Sequence, residues 1–113
     1  MTAYAIAHLH ATPPHEDVFE YIERIQSTMD PYGGRFVVHG AVPEVIEGTW
    51  PGTVVIIEFP DRERARAWYS SDAYREILHL RTDHIPGDAI LIDGVGPDYD
   101  AAATAAVLRA AAG

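Results

Sequence analysis

Residues 54–74 read VVIIEFPDRERARAWYSSDAY and contain a strand followed by the start of a helix. Five of the six residues from Val54 to Phe59 are apolar, and most of them are β-branched or aromatic, so the segment predicts a buried strand. Pro60 and Asp61 end this strand, and Asp61 is the expected N-cap of the next helix. Glu58 is the exception, because an ionisable side chain in a buried strand requires a partner.

The composition is that of one globular domain. The chain has 113 residues, of which 48% are hydrophobic and 22% charged. Its net charge is 8 − 17 = −9 and no segment is basic, so nucleic acid is not an expected partner. The absence of cysteine excludes disulfides, thiolate metal sites and cysteine nucleophiles. The N-terminus lacks the basic flank and long apolar run of a signal peptide or membrane span, which predicts a cytoplasmic protein with no membrane association.

Side-chain periodicity predicts the order βαββαβ. Period-two alternation indicates strands and i, i+3, i+4 spacing indicates helices. The elements are a strand over Tyr4–Leu9, a helix over Val18–Met29, strands over Arg35–His39 and Thr53–Phe59, a helix from Asp61 that breaks at Ser70-Ser71, and a strand over Ala89–Ile92. This order predicts an α+β, ferredoxin-like fold, in which a four-stranded antiparallel sheet carries both helices on one face.

Residues 1–96 are therefore expected to form the domain. Residues 97–113 form an alanine-rich tail of high helix propensity, whose order requires packing against something else. Within the domain, the arm Pro43–Trp50 alternates charged and apolar residues, which suits either a β-hairpin reaching another protomer or a loop over a pocket. Trp50 is then an expected interface anchor and ligand contact.

Four segments resemble a known family. They are YGGRFVVHG at 32–40, PEVIEGTW at 43–50, EFPDRERARAWYSSDAY at 58–74 and ILIDGV at 90–95. Together they are similar to the uncharacterised bacterial family named domain of unknown function thirteen-thirty, in the dimeric α/β-barrel superfamily. The resemblance implies a ferredoxin-like protomer whose bare sheet face packs against a second protomer, and it implies no established activity. Pro31 and His39 depart from the family's pattern, since His39 stands where an arginine is expected.

Strand alternation predicts that one sheet face collects a polar group from every strand. If the alanines of the first strand lie under the helices, the opposite face holds Tyr4, Ile6, His8, Arg35, Val37, His39, Glu58, Leu91 and Asp93. Glu58, His39 and His8 are the predicted general acid and base groups, because burial raises a carboxyl pKa and an imidazole relays protons near neutral pH. Tyr4, Arg35 and Asp93 are predicted ligand contacts. The alternative is that these groups only satisfy one another or a partner chain.

The remaining aromatic and histidine residues have simpler interpretations. Trp68 and Tyr74 are predicted core residues, whereas Tyr69, about 100° further around the helix, is predicted to rim a pocket and contact a ligand. His8 and His10 have a spacing that metal sites use, with His15 and Glu58 as further candidate ligands. Surface histidines are the default, and neither a metal nor a cofactor is expected.

Two functions follow from these patterns. The first is a homodimeric small-molecule-binding protein, acting as a cofactor-independent enzyme that transfers protons on a small apolar or aromatic substrate, as an isomerase, cyclase or monooxygenase-like protein. The wider superfamily that the sequence resembles contains such enzymes, which is support by analogy only. The alternative is a non-catalytic dimeric module that binds a ligand or another protein. Sequence patterns leave the choice between enzyme and binding module open.

Overall fold

A four-stranded antiparallel sheet organises the chain. The computed structural model describes residues 1–113 throughout. Its elements are β1 (Ala3–His10), α1 (Glu16–Met29), β2 (Arg35–Val38), β3 (Gly52–Phe59), α2 (Arg62–Tyr69), α3 (Asp72–Thr82), β4 (Gly87–Asp93) and α4 (Ala101–Ala112), with a 3₁₀ turn at Asp30–Tyr32. The strand order is β2-β3-β1-β4, and every neighbouring pair is antiparallel. The predicted ferredoxin-like α+β fold is confirmed.

Local sequence signals account for the helix boundaries. Asp61 caps α2 by accepting a hydrogen bond from the backbone N–H of Arg64 at 2.8 Å. Ser71 caps α3 in the same way, because its Oγ accepts from the Tyr74 N–H at 3.2 Å. The predicted break between the two helices is therefore confirmed, and it turns α3 so that it packs beside α1.

The core lies between the sheet and the helices α1 to α3. Its largest fully buried side chains are Tyr74, Phe59, Met29 and Ile77. Trp68 is only 3% exposed and its Nε1 donates to Thr28 Oγ1 at 3.0 Å, which satisfies the indole inside the core. Trp68 and Tyr74 are core residues, as their spacing predicted.

The arm after β2 contains no strand, so of the two alternatives predicted for Pro43–Trp50 the β-hairpin is wrong. The arm is a loop, although none of its residues lines the cavity under the helices. Val45 and Ile46 are exposed, so no second strand faces them, and Gly40 and Gly48 turn the chain with φ angles of +85° and +72°. The segment is an irregular loop. Its last residue, Trp50, lies back on the sheet.

The alanine-rich segment forms α4, which Asp100 caps by accepting from the Ala102 N–H at 3.0 Å. No residue of α4 is buried, so this helix adds nothing to the core. None of the helices combines the length and hydrophobicity needed to cross a membrane.

Candidate functional site

The two faces of the sheet carry different residues. The face under the helices holds Ala5, Ala7, Val55, Ile57 and Leu91, all in register across β1, β3 and β4. The opposite face, called the open face below, has no helix over it. It holds Tyr4, Ile6, His8, His10, Arg35, Val54, Ile56, Glu58, Asp88, Ile90 and Ile92.

Glu58 lies on the open face and forms an ion pair with Arg35. Its Oε2 accepts from Arg35 Nη2 at 2.9 Å, and Tyr4 is its neighbour across the strands on the other side. Arg35 is 67% exposed and Glu58 29% exposed at their side chains, so water screens this ion pair. His8 lies four residues beyond Tyr4 along β1. Because a strand rises about 3.3 Å per residue, His8 is about 13 Å from the position of Glu58. Glu58 and His8 therefore do not form one site.

His39 lies on the other side of the sheet, so its predicted place beside Glu58 is wrong. The ladder pairs Phe36 with Ile57 but Val38 with Ile56, which leaves Val37 as one extra residue in β2. A β-bulge of this kind reverses the alternation beyond it. The His39 ring consequently stacks on Phe36, with ring centroids 4.3 Å apart, under the helices.

Asp93 and Leu91 also face the helices, which corrects the face predicted for them. Leu91 pairs with Ala5 and Asp93 with Ala3, two alanines on the helix side of β1. Asp93 accordingly reaches α2, where its Oδ1 lies 3.3 Å from Arg62 Nε. Both side chains of this ion pair are nearly half exposed. Asp93 thus contacts α2 on the helix side of the sheet and faces away from Glu58.

An apolar cavity of about 290 Å³ lies between the sheet and the helices. Small side chains on the strands leave this space, because Ala5, Ala7 and Ala89 put only a methyl group under the helices and Ala7 pairs directly with Ala89. Aromatic rings from the helices form much of the opposite wall. The cavity is large enough for a bicyclic molecule and lies near the small end of typical ligand pockets.

Three polar side chains from two helices meet in this cavity. The Tyr21 and Tyr74 hydroxyls are 2.7 Å apart, and the Arg81 guanidinium carbon lies 5.7 Å from the Tyr21 ring centroid. Arg81 is only 9% exposed and forms no ion pair with a carboxylate. It is a buried cation whose neighbours are phenols and apolar side chains.

The pKa values of this group favour a donor site. Burial raises the pKa of Tyr74 well above its ordinary value, and Tyr21 raises it further. Burial alone would lower the pKa of Arg81, but Tyr21 and Tyr74 more than offset this, so the Arg81 pKa lies above its ordinary value. At neutral pH the Arg81 guanidinium is therefore charged and the Tyr74 phenol is protonated. Arg81 can donate hydrogen bonds to an oxygen atom of a ligand, and so can one of the two phenols, because the other phenol donates to its neighbour across the 2.7 Å contact.

The other predicted ligand contacts divide between the two faces. Tyr69 and the exposed His39 line the cavity. Trp50 lies outside it, stacked on His8 with ring centroids 4.3 Å apart. Tyr4 and Arg35 flank Glu58 on the open face. With Asp93 at α2, the predicted set of eight residues is thus spread over four places and does not form one site.

The candidate site contains two residues that the sequence analysis did not select, Arg81 and Tyr21. A signal was present, since Arg81 lies seven residues after Tyr74 on the apolar stripe of α3, where a charge is unusual. Tyr21 belongs to the apolar stripe of α1, so its spacing predicts only a core residue. The polar role of its hydroxyl follows from the contact with Tyr74, which the sequence does not reveal.

Together these features define a class of protein: an α+β domain with the ferredoxin-like fold and an apolar cavity between sheet and helices. The family model described as domain of unknown function (DUF1330) matches residues 2–95, and the chain belongs to that family. The family resemblance noted from the sequence is confirmed. No protein with a curated description matches the sequence.

Solved structures share this fold at low sequence identity. RPA0582, a protein of unknown function from Rhodopseudomonas palustris, is 16% identical with a TM-score of 0.66, over 85% of this chain and 84% of that one. SnoaB, a cofactor-independent oxygenase from Streptomyces nogalater, is 14% identical with a TM-score of 0.54, and the match covers 88% of this chain and 96% of SnoaB. Rv0793 from Mycobacterium tuberculosis is 10% identical with a TM-score of 0.54, over 88% and 100%. These likenesses establish the fold.

The exposure of the Arg35–Glu58 pair yields a first prediction. We expect Glu58→Gln to lower the free energy of unfolding by less than about 1 kcal/mol, because screened surface pairs contribute little and the substituted amide retains a hydrogen-bond acceptor for Arg35. Urea denaturation measures this loss of stability. The control is Glu44→Gln, which alters an exposed carboxylate that forms no ion pair. A loss above about 2 kcal/mol would show that the pair is effectively buried.

Proposed function

We propose that this protein binds a small aromatic molecule bearing a carbonyl or carboxylate oxygen, in the cavity between sheet and helices. The observation that carries the proposal is Arg81, a buried cation without a carboxylate partner in an otherwise apolar cavity. A buried charge is costly unless an opposite charge or hydrogen bonds compensate it. An anionic or strongly polar oxygen on a ligand would supply that compensation.

The walls of the cavity support an aromatic ligand. Trp68, Tyr69 and Tyr74 form a cluster with ring centroids 4.2–6.1 Å apart, the range in which aromatic rings stack or meet edge to face. Across from them the alanines of β1 and β4 present a smooth apolar surface. A flat ring fits between such layers with its oxygen toward Arg81.

The same groups suit proton transfer without a cofactor. A base that removes a proton from the carbon next to a carbonyl produces an enolate. Arg81 and one phenol of the Tyr21–Tyr74 pair would stabilise its charge by hydrogen bonds. His39 is the proposed base, because it lines the same cavity, is exposed at its edge and carries an imidazole nitrogen that can accept a proton. The fold shared with SnoaB supports this chemistry only by analogy.

The non-catalytic alternative uses the same cavity. Arg81 and Tyr21 would then fix the orientation of a ligand and no proton would move. The alternative differs from the enzyme only in the role of His39. Proton exchange on a bound ketone separates the two.

We also propose a homodimer formed by the β4 side of the open face, at the edge of the sheet opposite the Arg35–Glu58 pair. Ile90 is 54% and Ile92 45% exposed on this face. Large apolar side chains exposed side by side on the sheet of a small domain indicate a surface that another molecule covers. A second copy of the chain is the proposed cover, because closed homodimers are the commonest assembly of soluble proteins.

Ligand binding tests the role of Arg81. We expect 2-naphthoate to bind more tightly than 2-naphthalenemethanol, and Arg81→Met to weaken only the acid, by at least about tenfold (about 1.4 kcal/mol). Ala7→Leu should weaken both ligands because the added side chain fills the cavity. Isothermal titration calorimetry measures the affinities of both ligands for the unmodified protein and for each variant.

The matched control for that experiment is Arg66→Met, which removes an exposed arginine of α2 that does not line the cavity. Circular dichroism verifies that each variant is folded. Equal affinity for the acid and the alcohol, unchanged by Arg81→Met, would contradict the proposed site.

Proton exchange tests the role of His39. In D₂O we expect the protein to accelerate exchange of the acidic C1 protons of 2-tetralone above the buffer rate, and His39→Gln to reduce the acceleration by roughly 10²-fold or more, the contribution typical of a general base. Proton NMR follows the loss of signal. His79→Gln, an exposed histidine outside the cavity, is the control. Binding of 2-tetralone without acceleration would favour the non-catalytic alternative.

Solution mass tests the dimer. We expect light scattering to give twice the chain mass of 12.4 kDa, and Ile90→Asp to give the single-chain value, because it places a charge in the proposed interface. Val107→Asp on α4, where Val107 is 68% exposed, should leave the dimer intact. A single-chain mass for the unmodified protein would refute the proposed assembly.

A further inference from the structure

Three potential metal ligands lie together on the open face, on the side of the sheet opposite the cavity. His8 and Asp88 are direct cross-strand neighbours in β1 and β4, and His10 follows His8 on the same face. Each residue offers one ligand atom, and these atoms all lie within 4.8 Å of one another. The β1–β4 register creates this group, since Asp88 is eighty residues from His8 in sequence.

Hydrogen bonding within the protein does not account for this group. None of the three side chains forms a hydrogen bond or an ion pair with another side chain. His8 Nε2 is shut off from solvent and has no hydrogen-bond partner, and it is the one buried side-chain polar atom in the chain of which this is true. Buried polar atoms are nearly always satisfied, so His8 requires an explanation.

A second group of similar composition provides a contrast. His84 Nε2 lies 2.9 Å from Asp17 Oδ2, and His15 Nδ1 accepts from the Asp17 backbone N–H at 3.0 Å as the cap of α1. His84 lowers the pKa of Asp17, chiefly through this hydrogen bond. The polar groups of these residues are thus already hydrogen-bonded to one another. They connect the start of α1 to the loop before β4. The group therefore has a structural explanation.

We propose that His8, His10 and Asp88 bind one divalent transition-metal ion of the zinc class. Two imidazoles and one carboxylate suit zinc, nickel and copper, whereas calcium and magnesium prefer several oxygen ligands. Metal bonds of about 2.0–2.2 Å bring pairs of ligand atoms to roughly 3.5 Å, so small side-chain rotations close the site. Three protein ligands leave a coordination position for water or an anion.

Trp50 completes the site and provides a reporter. Its ring stacks on His8, whose ring centroid is also 5.0 Å from that of His10, so the indole lies directly beside the proposed metal ligands. The chain has only one other tryptophan, Trp68, which is buried in the core on the helix side of the sheet. A paramagnetic ion at His8 would therefore quench Trp50 and leave Trp68 largely unaffected.

The experiment is calorimetric titration of the untagged full chain with ZnCl₂ at pH 7.5. We expect one ion per chain, and an affinity loss of at least about tenfold for both Asp88→Asn and His10→Gln, since even the loss of a supporting residue costs about that much. His84→Gln in the Asp17 group is the matched control and should leave the affinity unchanged. Circular dichroism verifies that all variants are folded.

NiCl₂ quenching of tryptophan fluorescence locates the ion independently. We expect saturable quenching that Trp50→Phe abolishes, with zinc affinity retained in the same variant. The proposal fails if zinc shows no saturable binding, if His84→Gln rather than Asp88→Asn removes binding, or if CaCl₂ binds as tightly as ZnCl₂. These results do not depend on the proposed cavity ligand, because the metal ligands lie on the opposite face of the sheet.

Discussion

The alternation of small and large side chains along β1 determines both surfaces of this protein. Ala3, Ala5 and Ala7 face the helices, while Tyr4, Ile6 and His8 face the other way. The alanines allow the helices to cover the centre of the sheet while leaving space beneath them, and Ala89 extends that space onto β4. The larger residues make the open face both apolar and rich in ligating atoms. A shift of one residue in the register of β1 would exchange these two surfaces.

Sequence patterns predicted the fold well because each element carries its own local signal. The apolar strand before Pro60, the caps at Asp61 and Ser71 and the helical spacing from Val18 to Met29 are short-range features, and all agree with one architecture. The irregular arm was the exception. Its alternating pattern satisfied the rule for a hairpin, but Val45 and Ile46 have no strand to face.

The candidate site was harder to predict because it depends on register. In β4, residues 89–92 read AILI, so either alternation places apolar side chains under the helices and sequence cannot choose between them. In β2, one extra residue between Phe36 and Val38 moves His39 to the other face. Arg81 and Tyr21 come together through the packing of α1 on α3, and the hydroxyls that link the helices belong to residues 53 positions apart.

The two proposed sites share their strands but use opposite side chains. Leu9 and Ala89 contribute to the cavity, and His8, His10 and Asp88 alternate with them on the open face. The backbones of β1 and β4 are thus the only layer between a ligand in the cavity and an ion on the other face. A change that adds bulk at Ala89 presses directly on the strand that carries Asp88, whereas the Glu58 end of the sheet is about 13 Å from His8. Any influence of one site on the other therefore acts through this end of the sheet, where the two sets of side chains share a backbone.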